Sequence, residues 1–201
     1  MPDAQPLLIL ASASPRRREL LAQIGVAHRV QPADIDEARL AGEAPGDYVQ
    51  RLARQKAEHV WRQQAPQGAL PVLGADTSVV VDADIFGKPA DRAAALAMLG
   101  RLSGREHAVY SAVALVHAGG MHTLTSISRV RFATLGAQEC AAYWDSGEPR
   151  DKAGAYAIQG RGAVFIESLS GSFSGVMGLP LFETAQLLRQ AGIRCWDGAL
   201  A

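Results

Sequence analysis

The sequence predicts an α/β fold with a mixed sheet flanked by helices. The apolar run PLLILAS at residues 6–12 is typical of a strand buried on both faces, and a helical pattern follows it directly. Two further strand patterns lie on either side of Gly119 and Gly120 and indicate an antiparallel hairpin. A strand–helix unit of the parallel type and a hairpin in one chain together favour a mixed sheet.

The N-terminal half is predicted to alternate extended and helical segments. Ser14 suits the N-cap of the first helix, and Pro15 fits its first turn because proline lacks the N–H that is unpaired there. Residues 26–36 can supply a second extended segment. Pro45 and Asp47 open a long helix whose apolar residues fall on one stripe.

The rest of the chain continues the same mixture of elements. In order, the patterns predict a strand at 71–81 with a turn at 82–84 and a short return strand, a helix from near Asp91, the hairpin, a helix at 137–147, a glycine-punctuated loop at 151–162, a strand at 162–171 and a helix at 181–193. The chain contains no internal repeat, low-complexity tract or linker. Residues 1–201 are therefore interpreted as a single domain.

The composition argues against several classes of function. Twenty basic residues balance twenty acidic ones and 48% of the residues are apolar, so neither disorder nor a polyanion-binding surface is indicated. Nucleic acid polymers are therefore not expected as partners. The two cysteines, Cys140 and Cys195, lie far apart without a metal-ligand spacing, which gives no support for a zinc site or a disulfide framework.

Targeting and membrane segments are not expected. The apolar run at residues 7–11 is too short for a secretory signal, and no stretch approaches the roughly 20 residues that span a bilayer. Together with the low cysteine content, this pattern predicts a cytoplasmic protein with no membrane partner.

Residues 12–18, SASPRRR, form the first candidate site. A strand-to-helix turn directs free backbone N–H groups and a positive helix dipole outward, and the arginines add to that charge. Ser12, Ser14, Arg16 and Arg17 supply donors suited to phosphate oxygens. The segment therefore predicts an anion site, although arginines that extend into solvent or pair with nearby carboxylates would explain the local pattern as well.

Asp76 and Lys56 are charged residues at positions where burial is predicted. Asp76 interrupts the strand pattern PVLGADTSVVV, so its carboxylate needs a cation, a hydrogen-bond network or a reacting water. A turn or bulge beside Gly74 is the alternative. Lys56 lies on the apolar stripe of the long helix, which favours an anionic partner, although its ammonium can also extend past the edge of the stripe.

Two further candidates lie in less regular segments. Lys88 stands between a glycine and a proline, so a rigid turn can direct its ammonium toward a phosphate, although exposed lysines in turns are common. Glu37 forms an acidic cluster with Asp34 and Asp36 that can hold Mg²⁺ or Mn²⁺, or can simply be solvated. The five histidines show no ligand spacing, and no catalytic triad can be argued from them.

The loop at residues 151–160, DKAGAYAIQG, has the composition of a recognition loop. Asp151 and Lys152 open it and small residues follow, with Gln159 near its end. A glutamine amide presents a donor beside an acceptor and can therefore match the N3–H and the C4 carbonyl of uracil or thymine. A polar side chain that faces water is the alternative for Gln159. Lys152 is a further candidate for the site.

Taken together, these segments resemble the Maf nucleoside triphosphate pyrophosphatases. The matching stretches stand in family order and span almost the whole chain: LILASASPRRRELL, DIDE, RLARQKA, GADTSVVV with IFGKP, LSGREHAVYSAVAL, GEPRDKAGAYAIQG and GVMGLPL. The resemblance implies hydrolysis of a nucleoside triphosphate between its α and β phosphates with the help of Mg²⁺ or Mn²⁺. It also implies an elongated, twisted sheet with two lobes, an active-site cleft between them, and a homodimer.

The resemblance assigns roles to the candidate residues. Asp76 would be the catalytic residue and, together with Glu37, a metal ligand. The phosphate-binding residues would be Ser12, Ser14, Arg17, Lys56 and Lys88. The residues that determine substrate specificity would be Arg16, Thr77 and Gln159.

The same resemblance favours dTTP and UTP as substrates, with modified pyrimidine nucleotides as further candidates. The SPRR, GADT and AGAYAIQG motifs match this branch, whereas the 7-methyl-GTP branch has an aromatic residue after SP and a glutamate in place of the glutamine. Ala157, Phe173 and Gly175 depart from the family's usual residues and bear on the detailed geometry of the pocket. A 7-methyl-GTP pyrophosphatase and a non-catalytic, nucleotide-sensing regulator of cell division are the alternatives.

Overall fold

A computed structural model describes residues 5–65 and 68–196, which form a mixed sheet flanked by helices and confirm the predicted mixed α/β class. The strands are β1 (Leu8–Leu10), β2 (His28–Val30), β3 (Val72–Val81), β4 (Asp84–Phe86), β5 (Glu106–His117), β6 (Gly120–Phe132) and β7 (Ile166–Ser170). The helices are α1 (Pro15–Gln23), α2 (Pro45–Arg62), α3 (Arg92–Leu102), α4 (Ala137–Asp145), α5 (Phe173–Met177) and α6 (Leu181–Gln190). Within these ranges, each helix is too short or too polar to cross a membrane. The predicted single domain, residues 1–201, extends beyond the described residues at both ends.

The sheet combines a short parallel part with a long antiparallel part. In the described residues its strand order is β2-β1-β3-β5-β6-β7. The short strand β4 pairs with β3 on the same edge as β1. β1 is parallel to β2 and β3, whereas the β3–β4, β3–β5, β5–β6 and β6–β7 pairs are antiparallel. The predicted hairpin is confirmed, because His117 of β5 pairs with Gly120 of β6.

One edge of β3 is open at its centre. β1 pairs with β3 at Val72 and Leu73, and β4 pairs with it from Val79 to Val81. Between these two pairings, the described chain places no strand against residues 74–78 on that edge. The opposite edge is paired with β5 throughout this stretch. The sheet therefore has a notch at residues 74–78, where two of the predicted site residues lie.

Three apolar clusters pack against the sheet. Successive residues of β1 point to opposite faces, so Leu8 and Leu10 pack with α1 and α6, whereas Ile9 packs with α2. The third cluster surrounds Phe132 and joins α3 and α4 to the second half of β3. The notch lies at the boundary between the first two clusters and the third.

The structure departs from the predicted elements in two places. The strand predicted at 162–171 begins only at Ile166, because residues 161–165 form a 3₁₀ turn before it. The helix α5 is absent from the sequence prediction, because five residues with a central glycine are too few to show a helical period. Ser172 caps α5 by accepting a hydrogen bond from the N–H of Gly175 at 2.9 Å.

Candidate active site

A cleft of about 500 Å³ opens at the notch in β3. It is lined by the turn between β1 and α1, the acidic segment after β2, the turn after β4, the loop at 151–160 and the turn after α5. All the candidate residues from the sequence line this cleft: Ser12, Ser14, Arg16, Arg17, Glu37, Lys56, Asp76, Thr77, Lys88, Lys152 and Gln159. Lys88 and Gln159 are exposed and lie at its rim. The fold thus brings together residues from distant parts of the chain.

Lys56 links the two predicted metal-ligand carboxylates. Its Nζ lies 2.8 Å from Oδ1 of Asp76 and 2.8 Å from Oε1 of Glu37. Lys56 and Asp76 are each only 7% exposed, and Asp76 pairs in register with Ala112, which excludes a turn or bulge there. Burial raises the pKa of Asp76 above its ordinary value, while the charges of Lys56 and Arg17 oppose this shift. The base of the cleft therefore holds a carboxylate that attracts cations and protons.

The close packing of α2 on β3 sets the geometry of this pair. Gly74 faces α2, and a Cβ atom built there would lie 2.1 Å from the carbonyl oxygen of Ala53 and 2.7 Å from the amide nitrogen of Ala57. Only glycine allows the helix to lie this close, because any side chain would meet its backbone. Lys56 lies between these two alanines in sequence and so reaches Asp76, two residues after Gly74.

The acidic segment that carries Glu37 is tied to α2 by two residues outside the predicted set. The hydroxyl of Tyr48 donates to the carbonyl oxygen of Glu37 at 3.0 Å, and Tyr48 also lines the cleft. Arg51 donates to the carbonyl oxygen of Ala38 at 3.0 Å and to the carboxylate of Glu43 at 2.6 and 2.8 Å. Hydrogen bonding to Arg51 lowers the pKa of Glu43 to about 2. These contacts hold the backbone of the acidic segment against α2.

The acidic cluster contributes one carboxylate to the cleft. Glu37 lines it, whereas Asp36 stabilises the next turn by accepting a hydrogen bond from the N–H of Ala38 at 2.8 Å. In the part of the chain that the structure describes, no group of three or more histidine, cysteine, aspartate or glutamate side chains could hold a metal ion. Mg²⁺ is usually bound by one or two carboxylates together with waters and substrate phosphates. Glu37 and Asp76, which converge on one cationic atom, fit that smaller donor set.

Two of the three arginines are held at the cleft by backbone carbonyl groups. Arg17 donates from Nε to the carbonyl oxygen of Gly178 at 2.8 Å and from Nη1 to Oγ of Ser12 at 3.1 Å. Arg16 donates from Nε to the carbonyl oxygen of Met177 at 3.3 Å. Burial lowers the pKa of Arg17 below its ordinary value. The C-terminal end of α5 and the glycine after it thus orient both guanidinium groups.

The start of α1 is built as predicted, except for its cap. The helix begins at Pro15 with Ser14 at the N-cap position, but the Ser14 side chain makes no capping hydrogen bond and lines the cleft instead. Arg18 is exposed, so for this arginine the alternative holds that its side chain extends into solvent. Arg16 comes within 3.9 Å of Asp151, an exposed carboxylate on the loop at 151–160.

Thr77 joins a short chain of hydrogen bonds that ends at a buried carbonyl group. Its Oγ1 lies 2.9 Å from Oγ of Ser111, its register partner in the β3–β5 ladder. The Ser111 hydroxyl donates to the carbonyl oxygen of Gly175 at 2.6 Å, and Ser111 is 1% exposed. Of the two departures from the family pattern in this region, Gly175 therefore contacts the site through its backbone, whereas Phe173 is exposed.

The loop at 151–160 is fixed by a buried hydrogen bond at its centre. Tyr156 lines the cleft, is buried, and shares a hydrogen bond of 2.9 Å with Nε2 of His107. Burial lowers the pKa of His107 to about 4. Lys152 pairs with its neighbour Asp151. Gln159 is exposed while lining the cleft, so its side chain can meet both solvent and a ligand.

Glu148 holds the end of this loop. Its carboxylate accepts hydrogen bonds from the hydroxyl of Tyr143 at 2.7 Å and from the backbone N–H groups of Arg161 at 2.9 Å and Gly162 at 3.1 Å. The Tyr143 hydroxyl in turn accepts a hydrogen bond from the N–H of Ala157 at 3.0 Å. These bonds flank the predicted base-reading glutamine on both sides and so fix its backbone.

Several residues that shape the site are absent from the sequence prediction, among them Tyr48, Arg51, Ser111 and Glu148. Ser111 and Glu148 lie inside stretches that carry the family resemblance, HAVYSAVAL and GEPRDKAG, and this location is the available signal. Tyr48 and Arg51 lie on the long helix, where polar residues are ordinary, so no local pattern marks them.

The site and the fold together define a class of protein. Arginines at a strand-to-helix turn of a mixed α/β sheet suit a protein that binds phosphorylated ligands, and here a buried carboxylate and a lysine line the same cleft. A family model described as Maf-like protein matches residues 7–191. The chain therefore belongs to the Maf family.

Curated relatives cover nearly the whole chain. A protein of Bordetella parapertussis named dTTP/UTP pyrophosphatase is 56% identical over 194 residues, which make up 94% of each chain. A protein of Hahella chejuensis with the same name is 53% identical over 190 residues, again 94% of each chain. A third, from Methylococcus capsulatus and also so named, is 56% identical over 186 residues, which are 92% of this chain and 91% of the relative.

Proposed function

We propose that the protein is a nucleoside triphosphate pyrophosphatase that hydrolyses dTTP and UTP to the nucleoside monophosphate and pyrophosphate. The observation that carries the proposal is the convergence of phosphate-binding, catalytic and base-reading candidates on one cleft. The names of relatives with 53–56% identity support the same activity.

The triphosphate would lie against the cationic side of the cleft. Arg16 and Arg17 at the start of α1, with Lys56 and Lys88 from two other segments, would neutralise its oxygens. Ser12 and Ser14 would add hydroxyl donors. Backbone carbonyl groups already hold both arginines, so little reorganisation is needed when the substrate binds.

Asp76 is the proposed general base. Water attacks the α phosphorus, the bond from that phosphorus to the oxygen shared with the β phosphate breaks, and Asp76 accepts a proton from the water. The electron pair of the broken bond leaves with pyrophosphate, whose charge the lysines and arginines stabilise. Lys56, with its Nζ 2.8 Å from Oδ1 of Asp76, orients the carboxylate toward the cleft.

Asp76 and Glu37 would hold a divalent cation together with phosphate oxygens. Both carboxylates offer the oxygen ligands that Mg²⁺ and Mn²⁺ prefer. The bound cation would supply positive charge to the leaving pyrophosphate. Removal of divalent cations with EDTA is expected to abolish turnover, and Mg²⁺ or Mn²⁺ to restore it. Full activity in EDTA would contradict this assignment.

Product analysis tests the proposed activity directly. The protein is incubated with dTTP, UTP, CTP, GTP and 7-methyl-GTP in the presence of Mg²⁺ or Mn²⁺, and the products are resolved. Monophosphate and pyrophosphate from dTTP and UTP support the proposal. Diphosphate with orthophosphate would indicate a phosphatase, preference for 7-methyl-GTP would indicate the other branch, and no turnover would favour a nucleotide sensor.

Asp76→Asn separates catalysis from binding. The amide keeps the size of the side chain but cannot accept the proton, so turnover is expected to fall by roughly 10²–10⁴-fold. The melting temperature and the affinity for dTTP serve as controls for folding and binding. Near-normal turnover in a folded variant that binds dTTP would rule out Asp76 as the base.

Gln159 is the proposed reader of the base edge. Because a buried polar edge without a partner is costly, a pocket that matches uracil and thymine rejects other bases. Gln159→Glu is expected to impair hydrolysis of dTTP and UTP more than it weakens the contacts to the phosphate groups, which all nucleotides share. Equal losses for all nucleotides would argue against base reading at this position.

We also infer that the cores on either side of the notch correspond to the two lobes expected of the family, with the active-site cleft between them. The clusters around Leu8 and around Phe132 support this division. The homodimer and the cytoplasmic location stay predictions.

A further inference from the structure

On the basis of the proposed function, we infer that Ser111 fixes the Thr77 hydroxyl as a hydrogen-bond acceptor toward the cleft, and that this polarity selects pyrimidine bases with an N–H at N3. Ser111 stands behind the cleft wall and is not among the residues that line the cleft. Its role would be to position Thr77, which does line the cleft.

A count of protons fixes the direction of the hydrogen bonds. Each hydroxyl carries one proton and accepts through its lone pairs. The carbonyl oxygen of Gly175 can only accept, so the bond of 2.6 Å uses the proton of Ser111. Thr77 must then donate its own proton to Oγ of Ser111 across 2.9 Å. With its only proton used in this way, the Thr77 hydroxyl can act toward a ligand only as a hydrogen-bond acceptor.

The surroundings of this chain of hydrogen bonds oppose its reversal. Ser111 is 1% exposed and pairs with Thr77 in the β3–β5 ladder, which holds the two side chains together. Gly175 is buried and lies in α5, whose cap at Ser172 fixes the backbone. If Ser111 donated to Thr77 instead, the buried carbonyl oxygen of Gly175 would lose its bond of 2.6 Å and keep only the N–H of Gly178 at 3.0 Å, which is unfavourable.

An acceptor of fixed polarity supplies a discrimination that Gln159 alone does not. The amide of an exposed glutamine can turn over, and its donor and acceptor then match either uracil or cytosine. Uracil and thymine carry an N–H at N3, whereas cytosine has a lone pair there, which an acceptor repels. Thr77 would accept the same N3–H that the amide oxygen of Gln159 reads, as a shared hydrogen bond, and would therefore favour the keto pyrimidines dTTP and UTP over CTP.

The test compares hydrolysis of UTP and CTP by the wild type and by Ser111→Ala. The substitution removes the acceptor for the Thr77 proton, so Thr77 can turn that proton toward the cleft and donate it to N3 of cytosine. The ratio of kcat/KM for UTP to that for CTP is expected to fall about tenfold, the effect of one hydrogen bond. Most of the change should be a gain for CTP.

Ser128→Ala is the matched control, because it should loosen α5 as Ser111→Ala does but leaves the partner of Thr77 in place. Ser128 is buried on β6, where its hydroxyl donates to the carbonyl oxygen of Ser172 at 3.3 Å and accepts from the N–H of Ser172 at 2.9 Å. It therefore anchors α5 without touching Thr77. In this variant, the ratio of kcat/KM for UTP to that for CTP should stay at the wild-type value.

Thr77→Val keeps the test decisive if Ser111→Ala does not fold. Removing the hydroxyl should lower kcat/KM for UTP and spare CTP, so the ratio should fall here too. An unchanged ratio in the folded variants, with equal losses on both nucleotides, would overturn the inference. Binding of UTP and CTP, measured by calorimetry, gives the same ratio without turnover. If the wild type hydrolyses neither nucleotide but the binding ratio still falls in Ser111→Ala, the proposed activity is refuted and the inference is supported.

Discussion

Replacement of Gly74 by alanine would test how the packing of α2 on β3 supports the active site. The new Cβ would lie 2.1 Å from the carbonyl oxygen of Ala53 and 2.7 Å from the amide nitrogen of Ala57. Comfortable contacts between such atoms are about 3.5 Å, so α2 would have to move by about 1 Å. Both atoms belong to the helix backbone, and no side-chain rotation can relieve the contact.

The cost of this displacement falls on stability and on activity. Overpacking of a core costs about 1–3 kcal/mol, and the two backbone contacts place the cost of Gly74→Ala at about 3 kcal/mol. For a chain of this length, the melting temperature should fall by roughly 6–12 °C. Because α2 carries Lys56, a shift of about 1 Å relative to Asp76 is expected to lower kcat for UTP about 100-fold.

The assay measures melting temperature and UTP turnover for Gly74→Ala beside Gly100→Ala. Gly100 is exposed in α3, and a Cβ there meets no atom within 4 Å. Alanine at that position should stabilise the protein by about 0.5–1 kcal/mol through its higher helix propensity, with turnover unchanged. Wild-type stability and turnover in Gly74→Ala would refute the packing argument. Reduced stability with full turnover would refute the link from packing to the site.

Three further predictions concern other parts of the described structure. Burial lowers the pKa of His107 from 6.5 to about 4, so only the unfolded state binds the proton between these values, and stability should fall by about 3 kcal/mol as the pH decreases through this window. Urea unfolding of His107→Phe should lack this loss. Arg161 and Gly162 donate to different oxygens of Glu148, so Glu148→Gln turns a donor toward one of these N–H groups and should raise KM for UTP in steady-state kinetics more than it lowers kcat. Asp91→Ala removes the 2.8 Å capping bond from the N–H of Ala94 and should cost about 1 kcal/mol in thermal unfolding, without loss of activity.

Some candidate residues could be chosen from the sequence because they break a local pattern, whereas Thr77 follows only from the family resemblance. Asp76 and Lys56 are charges inside apolar patterns, and the structure pairs them at 2.8 Å. The strand-to-helix turn at 12–18 also follows from local signals, since proline and serine mark where a helix begins. Helices and strands with a strong hydrophobic period could therefore be predicted from the sequence, with boundaries within a few residues of those in the structure.

The supporting residues could not be chosen in this way, because their importance depends on distant partners. A serine in a strand is ordinary, and Ser111 gains its role from Gly175, 64 positions away. Glu148 likewise acts on backbone N–H groups of the next loop. The notch in β3 depends on where β1 and β4 stop pairing, which is a matter of register between segments. No local pattern reports such a register.

The continuous strands beside the notch limit how the cleft can respond to a ligand. β5 supplies Val109 to one core and Leu115 to another, and its ladder with β3 runs unbroken past residues 74–78. Rotation of two bodies requires a joint at which few hydrogen bonds resist bending, and the ladder offers none there. The sheet therefore sets the width of the cleft in advance. Adaptation to different nucleotides falls to exposed side chains at the rim, such as Lys88 and Gln159, so a substrate is selected by its fit to a gap of nearly constant span.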